Sequence, residues 1–172
     1  AASLESAVEL ARTNMVEARR SVCALRPHES EEVDLATLLQ RQTDMARRTT
    51  DVPIDLRVDP LPPMGAGVAR EIATIAQEAL TNAVRHARAK RIRITASAVR
   101  GVSVFLSVAD DGRGMAKEGR GMGFGMTSMQ ERADRIGASL TIVTAPRAGT
   151  DVVLAWEPPS FEIPELDDDR RG

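Results

Sequence analysis

At 172 residues, with 42% hydrophobic and 28% charged residues, the chain can bury one good core and carry a small appendage. A net charge of -2, an aromatic content of 2% and no tyrosine argue against a nucleic-acid surface or base-stacking platforms. The single Cys23 excludes an internal disulfide and a thiolate metal cluster, and no apolar run reaches the length of a membrane span. The chain opens in mid-helix pattern without an initiator Met or a signal peptide. It is therefore expected to be a soluble, cytoplasmic piece of something longer.

The first expected element is a heptad helix. Leu4, Val8, Ala11, Met15, Ala18, Val22 and Leu25 step alternately by four and three to Pro27, the seam of a helix packed on another helix. That seam predicts a subunit interface or an absent partner helix, with docking on the chain's own core as the alternative. A second helix is expected from an Asp34 N-cap to about Thr50, with Leu35, Leu38, Leu39 and Met45 inward. Ile54–Val58 alternates as a strand, and Pro60–Pro63 reads as a turn or linker. A long helix follows from about Gly67 to Ala87. Arg91–Val99 and Val102–Ala109 read as strands joined across Arg100-Gly101 in a tight hairpin. After a glycine-rich stretch come a helix from Met126 to Ile136 and two strands, Ser139–Thr144 and Thr150–Trp156, turning at Pro146–Gly149. The tail from Pro158, with three consecutive aspartates, is expected to be disordered. The order, with long strands expected to be antiparallel, predicts an α+β fold, a two-layer sandwich with helices over one face of a sheet.

Three patterns carry chemistry. On the long helix Glu78, Asn82 and Arg85 fall within an arc of roughly 60°, beside an apolar strip of Val68, Ile72, Ile75, Ala79 and Ala83. A carboxylate and a carboxamide next to a guanidinium suit Mg²⁺ with accompanying phosphates, although a solvated face of a core helix would read the same way. Asp110, ending an apolar strand before Gly112 and Gly114, is placed to accept a hydrogen bond from adenine's amino group, or else forms an ordinary Asp-Gly turn. Gly119, Gly121, Gly123 and Gly125 precede the next helix. They suit a phosphate cradle at a helix N-terminus, or a plain surface loop. With Met115, Met122 and Phe124 interspersed, the segment could close over a ligand. Charged Arg113, Lys117, Glu118 and Arg120 and few apolar anchors then predict a lid that nucleotide orders.

Taken together the motifs resemble the GHKL or Bergerat-fold ATPases, and within them sensor histidine kinases of the nitrate-sensor and DesK type. Gln77–Ala87 looks like the family's N-box, and Asp110–Gly114 its D-x-G-x-G box. Gly123–Met126 with Met129–Arg132 looks like the second glycine box and its helix, and Gly149-Thr150 the small Gly-Thr element. Ala18–Pro27 is similar to the second helix of the dimerisation and phosphotransfer hairpin. The resemblance spans residues 1 to 157. It implies a hairpin piece at 1–27, a catalytic ATP-binding domain at 28–157 and a tail at 158–172.

By that resemblance Asn82 ligates Mg²⁺ directly, Glu78 acts through a metal-bound water, and Arg85 meets the phosphates. His86 borders the nucleotide, and Asp110 reads the adenine. Gly112, Gly114, Gly121, Gly123, Gly125, Met126 and Thr150 belong to the ATP-binding boxes. The resemblance also implies a protein-histidine kinase that is homodimeric in its parent, with a response regulator as partner, and leaves open whether that parent is membrane-anchored. Neither His28 nor His86 lies in the family's His-Asp motif, so the acceptor is expected on a hairpin helix outside this sequence. The rival expectations are an anti-sigma serine kinase of the same fold and a degenerate partner-binding module that takes no nucleotide.

Overall fold

The computed structural model describes residues 33–114 and 124–159. The heptad segment, residues 115–123 and the acidic tail from 160 onward lie outside the described residues.

The first helix, α1 (Leu35–Arg47), begins where the sequence predicts. Asp34 adopts extended backbone, and its carboxylate accepts hydrogen bonds from the N–H groups of Ala36 (3.2 Å) and Thr37 (3.1 Å) and from the Thr37 hydroxyl (2.8 Å). Leu35, Leu39 and Thr43 point inward at spacings of four. Met45 does not: it is 66% exposed, a correction to the expected inward set. At 100° per residue it lies roughly 100° from the centre of the stripe that Leu35, Leu39 and Ala46 define, and hydrophobicity does not overcome that angle. The helix also stops at Arg47, short of Thr50. There the Arg47 guanidinium donates to the carbonyl of Ile54 at 3.2 and 2.8 Å, tying the helix end to β1 (Ile54–Val58).

Strand β1 pairs in parallel with β2 (Ile92–Val99), Ile54 opposite Ile92. Parallel neighbours need a long crossover, and the helix α2 (Ala66–His86) supplies it, which lays that helix across the sheet. Its buried face is largely alanine: Ala69, Ala73, Ala76, Ala79 and Ala83 sit beside Ile72 and Ile75, both fully buried. Small side chains let α2 approach the sheet closely, while each buried isoleucine contributes about 1.5–3 kcal/mol.

The remaining strands are antiparallel. Strand β2 pairs with β3 (Ser103–Asp110), β3 with β5 (Thr150–Trp156) and β5 with β4 (Ser139–Thr144), giving the order β1-β2-β3-β5-β4. The sheet is mixed rather than wholly antiparallel. The β2–β3 connection uses three residues, Arg100 to Val102, where two were expected, with Arg100 and Gly101 at positive φ. Ile92, Ile94, Ala96, Val104, Leu106, Val108, Val152, Leu154 and Trp156 alternate onto the helix side, and Arg93, Phe105 and Val143 onto the exposed face. The helices therefore cover one face of the sheet, as the α+β sandwich requires.

Helix α3 (Phe124–Arg135) starts two residues earlier than expected. It ends in a Schellman motif around Gly137 (φ 68°), where Ala138 N–H donates to Ala133 and Gly137 N–H to Asp134. The Trp156 indole N–H donates to the Ile136 carbonyl at 3.1 Å, pinning the helix end to β5. Among the described residues no helix is long and apolar enough to cross a membrane.

Candidate functional site

The C-terminal half of α2, the end of β3 and the start of α3 converge. Glu78 and Asn82, one turn apart on α2, are half-buried; Arg85 and His86, in its last turn, are exposed. Across from them stands Gly125 in the first turn of α3. A Cβ on Gly125 would overlap Oε1 of Glu78 and come within 3.6 Å of Nδ2 of Asn82. The missing side chain at Gly125 is what admits the Glu78 carboxylate to the N-terminus of α3. Met126, beside it, is half-buried against the core.

The donor set has the chemistry Mg²⁺ asks for: one carboxylate, one carboxamide, and no hydrogen bond or ion pair engaging either among the described residues. No three His, Cys, Asp or Glu side chains gather as a metal cluster among those residues. Mg²⁺ does not require one, since it keeps waters and takes phosphate oxygens as further ligands. The free N–H groups and positive dipole end at the start of α3 suit phosphate on the same spot.

The second half of the site is built by the sheet. Asp110 ends β3, and Thr150, preceded by Gly149, begins β5 directly opposite. The Asp110 carboxylate accepts from Gly112 N–H at 2.8 Å, and the backbone of Thr150 opposite it also favours the charged form. Burial nonetheless wins and pushes its pKa above the ordinary carboxylate value, with the neighbouring Asp111 charge adding a smaller push. Gly112 is buried against α2, where a Cβ would overlap the Ala87 carbonyl, and Arg113 N–H donates to that carbonyl at 2.8 Å. Gly149 (φ 77°) and Gly114 (φ 62°) pass equally close to other backbone, Gly149 against the Asp110 carbonyl and Gly114 against that of Ala145. Arg147 N–H donates to the Arg113 carbonyl at 2.7 Å and closes this loop cluster.

Of the residues expected at the site, Glu78, Asn82 and Gly125 meet directly. Asp110, Gly112, Gly114 and Thr150 form one backbone-linked group, and Arg85 and His86 stand in the last turn of α2. Gly121 and Gly123 lie outside the described residues. Two contributors were not singled out from sequence. The Asp111 carboxylate accepts from the N–H groups of Lys90 (2.7 Å) and Arg91 (2.9 Å), which holds the pKa of its carboxyl below the ordinary value and ties the box to the α2–β2 connection. The Thr144 hydroxyl lies 3.1 Å from that of Thr150 and 3.1 Å from the Gly149 carbonyl. Asp111 was legible as the second carboxylate of Asp-Asp-Gly; Thr144 carried no local signal.

Residues 67–160 match the family model described as histidine kinase-, DNA gyrase B- and HSP90-like ATPase. Among curated proteins the chain is similar to the signal transduction histidine-protein kinase/phosphatase UhpB of Salmonella typhimurium, 28% identical over 72% of this chain and 25% of that protein. It is also similar to the nitrate/nitrite sensor protein NarQ of Escherichia coli, 27% identical over 79% of this chain and 24% of that one. The chain thus spans about a quarter of the length of these two relatives. Among solved structures, the ATP binding domain of PrrB from Mycobacterium tuberculosis aligns with a TM-score of 0.60 at 25% identity, over 74% of this chain and 96% of that domain.

Proposed function

Because the chain belongs to the histidine kinase-, DNA gyrase B- and HSP90-like ATPases through residues 67–160, we propose that it is the ATP-binding catalytic domain of a two-component sensor histidine kinase. The observation that carries this reading is the convergence at Gly125. Gly125 and the carboxylate–carboxamide pair, more than forty positions apart in sequence, meet at the start of one helix. The names of the sensor-kinase relatives support the finer assignment.

In this reading the adenine amino group donates to Asp110, and the phosphates lie between the end of α2 and the start of α3. Asn82 would hold Mg²⁺, with Glu78 acting through a bound water. The metal ion, when bound, neutralises charge on the terminal phosphates. Arg85 adds a cation there, His86 borders the nucleotide, and Gly112, Gly114, Met126 and Thr150 line or shape the pocket. Gly121 and Gly123 are assigned to the phosphate cradle on sequence alone. Phosphoryl transfer depends mainly on positioning and charge stabilisation, so these groups suffice on the donor side. The acceptor is a histidine on a separate hairpin helix of a homodimeric, cytoplasmic kinase module whose phosphoryl group passes to a response regulator.

Calorimetric titration of the 172-residue chain with a non-hydrolysable ATP analogue, with and without Mg²⁺, tests the reading. Binding strengthened by Mg²⁺ and weakened by Asn82→Ala is expected. No binding at all would overturn it in favour of the nucleotide-free module.

A further inference from the structure

Helices α2 and α3 run antiparallel, and their contact is organised by matching heptad steps. On α2, Glu71, Ile75, Glu78 and Asn82 follow at spacings of four, three and four; on α3, Gly125, Met129 and Arg132 repeat the first two of these. At one end of the shared seam Gly125 abuts Glu78 and Asn82. In the middle Ile75 and Met129 are buried in the common core. At the other end the Glu71 carboxylate accepts from Arg132 at 2.9 Å and from Arg135 at 2.6 Å. These are the only ion pairs joining two helices among the described residues. The Glu71 side chain is 19% exposed. Burial alone would raise its pKa, but the two guanidinium groups outweigh burial and hold it below the ordinary value.

We infer that Glu71 is a positioning residue for the metal end of the nucleotide site. Two turns of helix, about 10 Å, separate Glu71 from Glu78, and the same span separates Arg132 from Gly125. A helix pinned at one end by two charged hydrogen bonds, with a buried Ile75 and Met129 in between, can neither slide nor rotate freely at the other. The N-terminus of α3 is thereby set against the Glu78 carboxylate so closely that a methyl group at Gly125 would have to displace it. The Asp110 half of the site has no such dependence. It is held by the sheet ladder and by backbone bonds to Ala87, Lys90 and Arg91.

The inference rests on the ATP-binding reading above, and its test separates the two. Glu71→Ala and Arg132→Lys are titrated with Mg²⁺ and a non-hydrolysable ATP analogue and, separately, with adenosine. Glu71→Ala is expected to weaken the Mg²⁺-nucleotide complex by about tenfold, as loss of a supporting group behind metal ligands does. Adenosine affinity should stay within about twofold, because the Asp110 end shares no partner with Glu71. Arg132→Lys, which keeps a cation beside an intact Glu71, should weaken the Mg²⁺-nucleotide complex far less than Glu71→Ala does. Equal weakening of both ligands would reduce Glu71 to a general stabiliser, and no weakening of either would remove its role; each overturns the inference. An unmutated chain that binds neither ligand would overturn the ATP-binding reading itself.

Discussion

Gly125→Ala separates folding from function at a single atom. The added Cβ would overlap Oε1 of Glu78, lie 3.2 Å from its Cδ and stand 3.6 Å from Nδ2 of Asn82. The last is ordinary contact, so the strain falls on the Glu78 carboxylate, the far end of a flexible side chain. Swinging it off its rotamer costs about 0.5–1.5 kcal/mol. Against that stands a helix-propensity gain of up to about 1 kcal/mol on replacing glycine by alanine. The two nearly cancel, so the melting temperature should move by no more than roughly 4 °C in either direction. Function has no such compensation. A carboxylate turned away from the α3 N-terminus no longer supports the metal, and Mg²⁺-nucleotide affinity should fall by about 10–100-fold. Differential scanning calorimetry and isothermal titration on the same preparation measure both quantities. An unchanged Mg²⁺-nucleotide affinity would refute the placement of Glu78, and a collapse in melting temperature would refute the claim that the side chain alone yields.

Asp110→Asn removes the charge proposed to receive the adenine amino group, and adenosine binding should weaken by about 1.5–3 kcal/mol in a calorimetric titration. Burial raises the pKa of the Asp110 carboxyl, so its favourable contribution to folding is complete below pH 3.8 and is lost as pH rises through the raised folded value. The Asp110→Asn variant should therefore melt no lower than the unmutated chain near neutral pH, and a lower melting point there would contradict the burial argument. Gly149→Ala forces a Cβ into the left-handed region and against the backbone carbonyl of Asp110, neither of which can yield cheaply. Urea denaturation should show a loss of about 2–5 kcal/mol, and an unchanged midpoint would mean the turn relaxes. Incubated with radiolabelled ATP, the chain should acquire no acid-labile, base-stable label. His28 follows Pro27 without the acidic neighbour of a His-Asp motif, and His86 is fixed on the ATP-site helix.

Helix α2 was legible to within one residue because nine buried positions repeat at helical spacing, a signal that survives any tertiary context. Met45 was misplaced because its hydrophobicity was weighed above its angle on α1. The parallel pairing of β1 with β2 was invisible: alternation reports which face a residue occupies and is silent on the direction of the neighbouring strand. Each half of the site had a local signature, Glu78–Asn82–Arg85 on one helix arc and Asp110–Gly112–Gly114 in one turn. What joins them is not local. The contact of Gly125 with Glu78 and the bonds of Glu71 to residues 61 and 64 positions away depend on the packing of α2 against α3, which no window of sequence contains. The resemblance assigned Glu78 and Gly125 to one ATP site without their contact and was silent on Glu71.

The pairing of Asp110 with Thr150 places the carboxylate proposed to read adenine inside a hydrogen-bonded ladder between two interior strands of the sheet. Amide protons there exchange only through openings that break the sheet, close to global unfolding in free energy. Gly125 belongs instead to the first turn of a helix whose leading N–H groups have no intrahelical acceptor. A sub-global excursion that frays this turn would release the Glu78 end while leaving the Asp110 end folded. The nucleotide site is thus backed by two different stabilities, and a mild destabilisation anywhere along α3 would cost the protein its grip on phosphate well before its recognition of the base.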